Sequence, residues 1–437
     1  MKRAALALLA VAAGPVAAQE RTGGDAAVAV VVIKDARVVR VDAPTLERGT
    51  VVITGGRIAA VDENAAVPAG ATVIEAAGKT LYPGLIDGLT TLGLTEIGSV
   101  SGSNDVSEVG DVNPHAKAWV AVHPHSDLLP VARANGITTA LAAPNGGLVS
   151  GQSALIRLAG DTPDSLVVKA PAAMHAVYPT GRPPFDFSRI FDEPELKTFE
   201  ERQKDKRKNQ EKELQRLANL LEEAKAYAAG VEAARNGGPV PLPDAPLQAL
   251  APVARGELPL VFRADDEDDI RGAVKFAGDH GLKLIIAGGL EAWRCASLLK
   301  EKNVTVLANV DRLPAHETDP YDAAYANPAA LQQAGVRFAI VSDDASQSRN
   351  LPYEAAMARA FGLPEDAALR AITLSPAEIF GVADRLGSIT VGKAANLFLA
   401  TGDIMDHRTQ VTDVIVDGVP QSMENRHTRL YRQFKDR

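Results

Sequence analysis

Short runs of β-branched residues open the chain and return at its far end, and between them apolar runs alternate with stretches of helical spacing. Residues 28–33, 38–41 and 51–53 lead to Gly55-Gly56, and 57–61 and 72–74 follow. Runs of this length broken by turn residues predict a small antiparallel sheet with hairpin turns. The matching piece at the other end covers 387–389, 392–399 and 414–418. Neither half could bury its apolar face alone. The two ends therefore predict one split β-sandwich, with an N-terminal part over 26–80 and a C-terminal part over 387–425.

In the middle, continuous apolar runs at 80–87, 137–143, 166–170, 258–264, 282–287, 304–308 and 337–342 suit strands buried on both faces. Helical spacing at 268–280, 290–301 and 323–334 lies between them, closed by Gly281, Asn303 and Gly335 as C-caps. Seven strands are clear, and an eighth is expected near 153–158. The alternation predicts an α/β fold, a (β/α)8 barrel over 81–386. Residues 192–238 read as a helical insertion in it. The segment is dense in charge (Glu200-Glu201-Arg202, then Lys204-Asp205-Lys206-Arg207-Lys208), and Leu214, Leu217, Leu220 and Leu221 repeat at helical spacing. A long amphipathic helix over the barrel's mouth is expected, either solvated along a packed stripe or offered to a partner.

Composition narrows the setting. Lys2 and Arg3, an apolar run from Ala4 to Ala13 and small residues at 16–18 form a secretory signal over 1–18, too short to span a bilayer. A periplasmic or secreted destination follows. Formal charge is −9, and −11 without Lys2 and Arg3. That balance speaks against nucleic acid or an anionic membrane as partner, because phosphate binding needs a concentrated basic surface. The expected partner is a small-molecule ligand, with self-association or pairing with an active homologue left open. The single cysteine, Cys295, has no internal disulfide partner and sits at helical spacing, as a packed thiol would.

Candidate chemistry begins at Pro83-Gly84-Leu85-Ile86-Asp87-Gly88-Leu89-Thr90-Thr91. Asn135-Gly136-Ile137-Thr138-Thr139, Ser375-Pro376-Ala377 and Asp384-Arg385-Leu386-Gly387-Ser388-Ile389 with Val391-Gly392-Lys393-Ala394-Ala395-Asn396-Leu397 follow in order. Together these resemble the amidohydrolase superfamily, in its imidazolonepropionase- and dihydroorotase-like composite-domain group, over roughly residues 26–420. The resemblance implies a barrel beside a composite β domain. It also implies one or two divalent metals at the barrel's mouth, which acidify a water for attack on a C–N bond.

The family's P-G-x-I-D-x-H-x-H places its two histidines on Leu89 and Thr91. A leucine cannot ligate a metal, and a lone threonine is a poor donor beside the imidazoles zinc prefers. At the fifth strand, Arg263 and Asp265 stand where a relative's H-A-H has histidines, and arginine has no lone pair to give. At the sixth, Gly288 replaces a histidine. Asp343, in Val341-Ser342-Asp343-Asp344, matches the proton-accepting aspartate of the eighth strand. His175 lies near the position of a lysine or carboxylate on the fourth. The loop Pro144-Asn145-Gly146-Gly147 is glycine-rich, and its backbone N–H groups could hold a substrate carboxylate.

Asp343 and His175 are thus the catalytic candidates, and Arg263, Asp265, Asn145 and Gly147 the substrate-binding ones. No metal ligand is assigned. His123-Pro124-His125 precedes a helix-like stretch and does not read as a relocated clamp, and His316 shows no spacing that suggests a site. Two readings follow. One is a non-catalytic or ligand-binding member that needs no cofactor. The other is an active C–N bond hydrolase with a remodelled site, either metal-free or holding a single divalent metal such as zinc.

Overall fold

The computed structural model describes residues 30–180, 198–316 and 318–437. The expected signal over 1–18 and the start of the helical insertion lie outside the described residues.

Five strands from the N-terminal region, β1 (Val30–Val38), β2 (Leu46–Thr54), β3 (Arg57–Asp62), β4 (Thr72–Glu75) and β5 (Thr80–Pro83), begin a β-rich domain. The hairpin between β2 and β3 turns on Gly55 and Gly56, with φ of 58° and 76°. Positive φ at both central residues gives the turn whose twist matches the strands it joins. The sheet is mixed rather than antiparallel, since β1 pairs parallel with β4 and with β5. The chain reaches β4 through a nine-residue loop, long enough to enter on the far side of β1.

The barrel sheet runs through β6 (Leu85–Thr90), β7 (Ile137–Ala142), β8 (Val149–Arg157), β9 (Val167–Val177), β10 (Leu260–Ala264), β11 (Leu284–Gly288), β12 (Thr305–Ala308) and β13 (Phe338–Ile340). Seven of these strands are mutually parallel. The eighth expected strand is β8, and it runs antiparallel to both β7 and β9. Only residues 143–148 join β7 to β8, including Gly146 and Gly147 at positive φ. So short a turn reverses the chain, whereas a parallel return needs a crossover of a dozen residues or more.

The ends of the barrel sheet meet through side chains and single backbone bonds. The Asp343 N–H donates to Leu89 O at 2.9 Å, the Ile86 N–H to Ile372 O at 2.9 Å, and the Ser342 N–H to Asp87 Oδ1 at 3.2 Å. The axis is filled by apolar residues, among them Leu89, Leu141, Val261, Ile285, Leu307, Val341 and Phe380.

The helix Phe199–Arg235 starts at Thr198, whose hydroxyl and Glu201 form a capping box. It is the crossover between β9 and β10. Leu217, Leu221 and Ala224 join the core around the barrel wall, while most of its first half is exposed. Its packed stripe therefore lies on the wall, and only the first half extends toward the mouth, where Gln210 donates to Pro179 O at 2.8 Å. Strands β14 (Leu397–Ala400), β15 (Val411–Val416) and β16 (Val419–Gln421) then complete the first sheet, with β14 antiparallel to β5.

Candidate functional site

The strand ends at the barrel's mouth bring Arg263, Asp343, His175 and Asp265 together. Arg263 Nη1 and Nη2 donate to Asp343 Oδ2 and Oδ1 at 2.5 and 2.6 Å, a two-pronged pair. Burial works against the guanidinium's charge, but the Asp343 bonds outweigh it and hold the group above its ordinary range. Asp343 itself has φ 58°, the left-handed region that aspartate tolerates better than most residues. Its position is fixed by the N–H bond to Leu89 O that helps close the barrel.

His175 is buried, and its Nε2 has no hydrogen-bond partner. Burial first, and the nearby Arg263 cation second, push its pKa down to about 3. The ring is therefore neutral near pH 7, and a base so reluctant to take a proton is poorly matched to general-base work there. Asp265 is pushed up by burial, and its Oδ1 is enclosed without a partner. Its carboxylate occupies the space beside Gly288, where an added Cβ would collide with Oδ1. Gly288 also has φ 88°, so a side chain there is disfavoured twice.

The cavity shared by Asn145, His175 and Arg263 measures about 10 Å³, the size of one water molecule. Gly147 is not part of it. It lies exposed, its backbone against Asp111, where a Cβ would come 2.8 Å from the Asp111 carbonyl oxygen. Asn145 is exposed at the rim and accepts from the Gly146 N–H at 2.9 Å.

A second polar cluster, absent from the expectations, lies behind the seam. Asp87 Oδ2 accepts from Ser342 Oγ at 2.5 Å and from Ser348 Oγ at 2.7 Å. Burial outweighs these bonds and pushes its carboxyl up to about 6. Glu354 is buried with neither carboxylate oxygen partnered, and burial together with Asp87, Asp311 and Asp343 pushes it up to about 9. Asp87 carried a signal, since it belongs to the motif at the first strand. Glu354 carried none, because its helix pattern alone does not say which face is buried.

The structure also corrects the reading of His316. Among the described residues, one trio of metal-type ligands lies close together: Asp266, Glu291 and His316, with ligand atoms within 4.8 Å of one another. They come from the loops after β10, β11 and β12, which converge on one side of the mouth although they are far apart in sequence. Glu291 is already engaged, accepting from the Glu267 N–H at 2.7 Å and from Arg294 Nε at 3.1 Å. His123 and His125 stand edge to face with ring centres 6.1 Å apart, and among the described residues they belong to no close group of three or more metal-type ligands. Lys169 lies far from the mouth, with Nζ on Phe380 O at 2.7 Å. Cys295 is a buried thiol pushed up to about 11 by burial, too weakly acidic to act as a nucleophile.

The model of the Amidohydrolase family matches residues 132–420. A solved structure of an amidohydrolase from Thermotoga maritima MSB8 is 27% identical with a TM-score of 0.77, over 90% of this chain and 99% of that one. A Xaa-Pro dipeptidase structure with methionine in its active site is 14% identical with a TM-score of 0.53, over 90% and 100% of the two chains, a likeness of fold. "Amidohydrolase tasK" of Hapsidospora irregularis is 22% identical over 400 residues, 85% of this chain. The chain spans only 40% of that curated relative.

Proposed function

The chain belongs to the amidohydrolase family, and from that premise we propose that it is a member whose barrel mouth no longer carries the standard metal centre. The observation that carries this reading is the Arg263–Asp343 pair. The family's catalytic aspartate is clamped by a cation standing where the resemblance places a histidine ligand. A guanidinium offers no lone pair and repels a divalent ion. The rest of the donor set fits a metal no better. Leu89 packs into the axis, Gly288 leaves its space to Asp265, and His175 faces the same guanidinium. The protein acts instead as a non-catalytic, ligand-binding relative of C–N bond hydrolases, placed in the periplasm or secreted by the leader at 1–18.

Metal analysis of the dialysed mature protein tests the reading. Well below one equivalent of zinc, manganese or iron is expected, with no chelator-sensitive hydrolysis of N-acyl amino acids or cyclic imides. One tightly held equivalent, lost together with activity, would sink it.

One observation favours the second reading, an enzyme with a single divalent metal: the Asp266, Glu291 and His316 trio at the rim. Its signature is metal content that falls in His316→Ala.

A further inference from the structure

A roomy cavity lies at the end of the barrel opposite the Arg263–Asp343 pair. It measures about 1000 Å³ and opens where β10, β11, β12 and β13 begin. Part of its wall is apolar, formed by Val274, Leu284, Ile285, Val304 and Phe380, which belong to the surrounding cores, and the rest is charged or polar. This face of a barrel ordinarily serves stability, and stability does not ask for unpaired charge.

The lining departs from that expectation in its ion pairing. Three carboxylates face the cavity, and each has its own cation. Glu257 is held by Arg255 Nε and Nη2 at 2.7 and 2.8 Å, Glu378 by Arg370 Nη2 at 2.6 Å, and Asp279 by Lys275. Three lining cations, by contrast, have no carboxylate in ion-pair contact among the described residues. Lys169 bonds the Phe380 carbonyl, and Arg337 bonds Asn303 Oδ1 at 3.0 Å. Lys283 acts on Glu257 only from a distance, and that carboxylate is already doubly bonded to Arg255. In a chain whose formal charge is −9, this is a local positive excess around an apolar recess.

We propose that this cavity binds a small organic anion with an apolar body, the body lying against the Leu284, Ile285 and Val304 wall and the acid group meeting Lys283, Arg337 and Lys169. The volume suits a small molecule. An apolar contact surface with a few fixed charges gives such a ligand both burial and orientation. The site goes beyond the reading of the mouth and is independent of it.

The fluorescent anion 8-anilinonaphthalene-1-sulfonate is a suitable probe for the intact mature protein. One saturable site is expected, displaced by decanoate and not by decylamine, which shares the chain length but carries the opposite charge. Lys283→Glu with Arg337→Glu should weaken probe binding at least tenfold while circular dichroism and the melting temperature stay close to the parent's. Lys169→Met, which removes the inner cation alone, should weaken it severalfold. Absence of saturable binding overturns the proposal. So does equal affinity in the folded double variant, or displacement by decylamine as effective as by decanoate. Metal content plays no part in these measurements, so the outcome is separable from that of the mouth.

Discussion

Arg263 and Asp343 make sense only as a pair. Their side chains are 24% and 11% exposed, so solvent screens them little, and removing one leaves the other's charge buried and uncompensated. Arg263→Met should therefore cost about 3–5 kcal/mol. Adding Asp343→Asn, which removes the stranded charge and tolerates the positive φ, should restore at least half of that. Urea unfolding of the parent, both single variants and the double variant measures the coupling, and additive effects would mean that the two side chains do not act as one unit. Glu354 sets a pH dependence. The unfolded chain releases its proton around the ordinary 4.5, whereas the folded protein holds it up to about 9. The folded state then binds more protons across that window, so stability falls as pH rises through it. His175 has the opposite sign: as pH falls through the ordinary 6.5 its depressed pKa begins to cost stability, and the cost is complete below about 3. Asp87, raised to about 6, has the same sign as Glu354 and has released nearly all of its proton only above about pH 7. Between about pH 7.5 and 8 the Glu354 contribution is the main one, before the unfolded Cys295 thiol begins to titrate toward its ordinary 9.0 with the same sign, and its slope is up to about 1.4 kcal/mol per pH unit. Urea midpoints across that range should fall in the parent and stay flat in Glu354→Gln.

At the scale of strands and helices, the sequence shows most where periodicity and caps agree. The expectation at 268–280 matches the helix Glu267–His280, closed by Gly281 at φ 67°, and 323–334 matches Ala323–Ala334, closed by Gly335 at φ 70°. The run at 290–301 splits into a 3-10 turn, Ala292–Cys295, and the helix Ala296–Glu301. Strand direction was not legible, because a buried strand has the same apolar run whichever way it points, and only the short turn after β7 reverses β8. The clustering of Asp266, Glu291 and His316 was hidden for a related reason: the barrel closes sequence gaps of tens of residues between neighbouring strand ends. Histidines returned to single strands should fail for reasons each strand makes specific. Leu89→His with Thr91→His places two imidazoles at the end of β6, beside Asp343 and its Arg263 partner, and should raise zinc content by far less than one equivalent. Gly288→His meets both the Asp265 carboxylate and a positive φ, and should lower the melting temperature instead of adding a ligand. A full equivalent of zinc in either variant would show donors that this geometry lacks.

For the whole molecule, β14 is one of the strands, with β5 and β15, through which barrel and β-rich domain hold one another. Its alternation puts Leu397 and Leu399 into the core of the sheet formed by both chain ends, while Phe398 and Ala400 belong to the core around the barrel. Phe398 stacks on Tyr82 with ring centres 5.3 Å apart and lies against Gly136, where a Cβ would come 3.0 Å from the ring. In the sequence Asn135-Gly136 belongs to a motif of the family resemblance, and the packed ring together with a φ of 86° explains why the second residue of that turn has no side chain. A strand shared between two cores should make them unfold together. Phe398→Ala removes a fully buried ring on the barrel side and should cost about 3–5 kcal/mol. Leu399→Ala, on the other face, should cost about 2–5 kcal/mol. Both variants are expected to move one and the same calorimetric transition to lower temperature. Two resolved transitions, with each substitution shifting only the one belonging to its own face, would show instead that the split domain and the barrel are stable separately and that β14 merely lies between them.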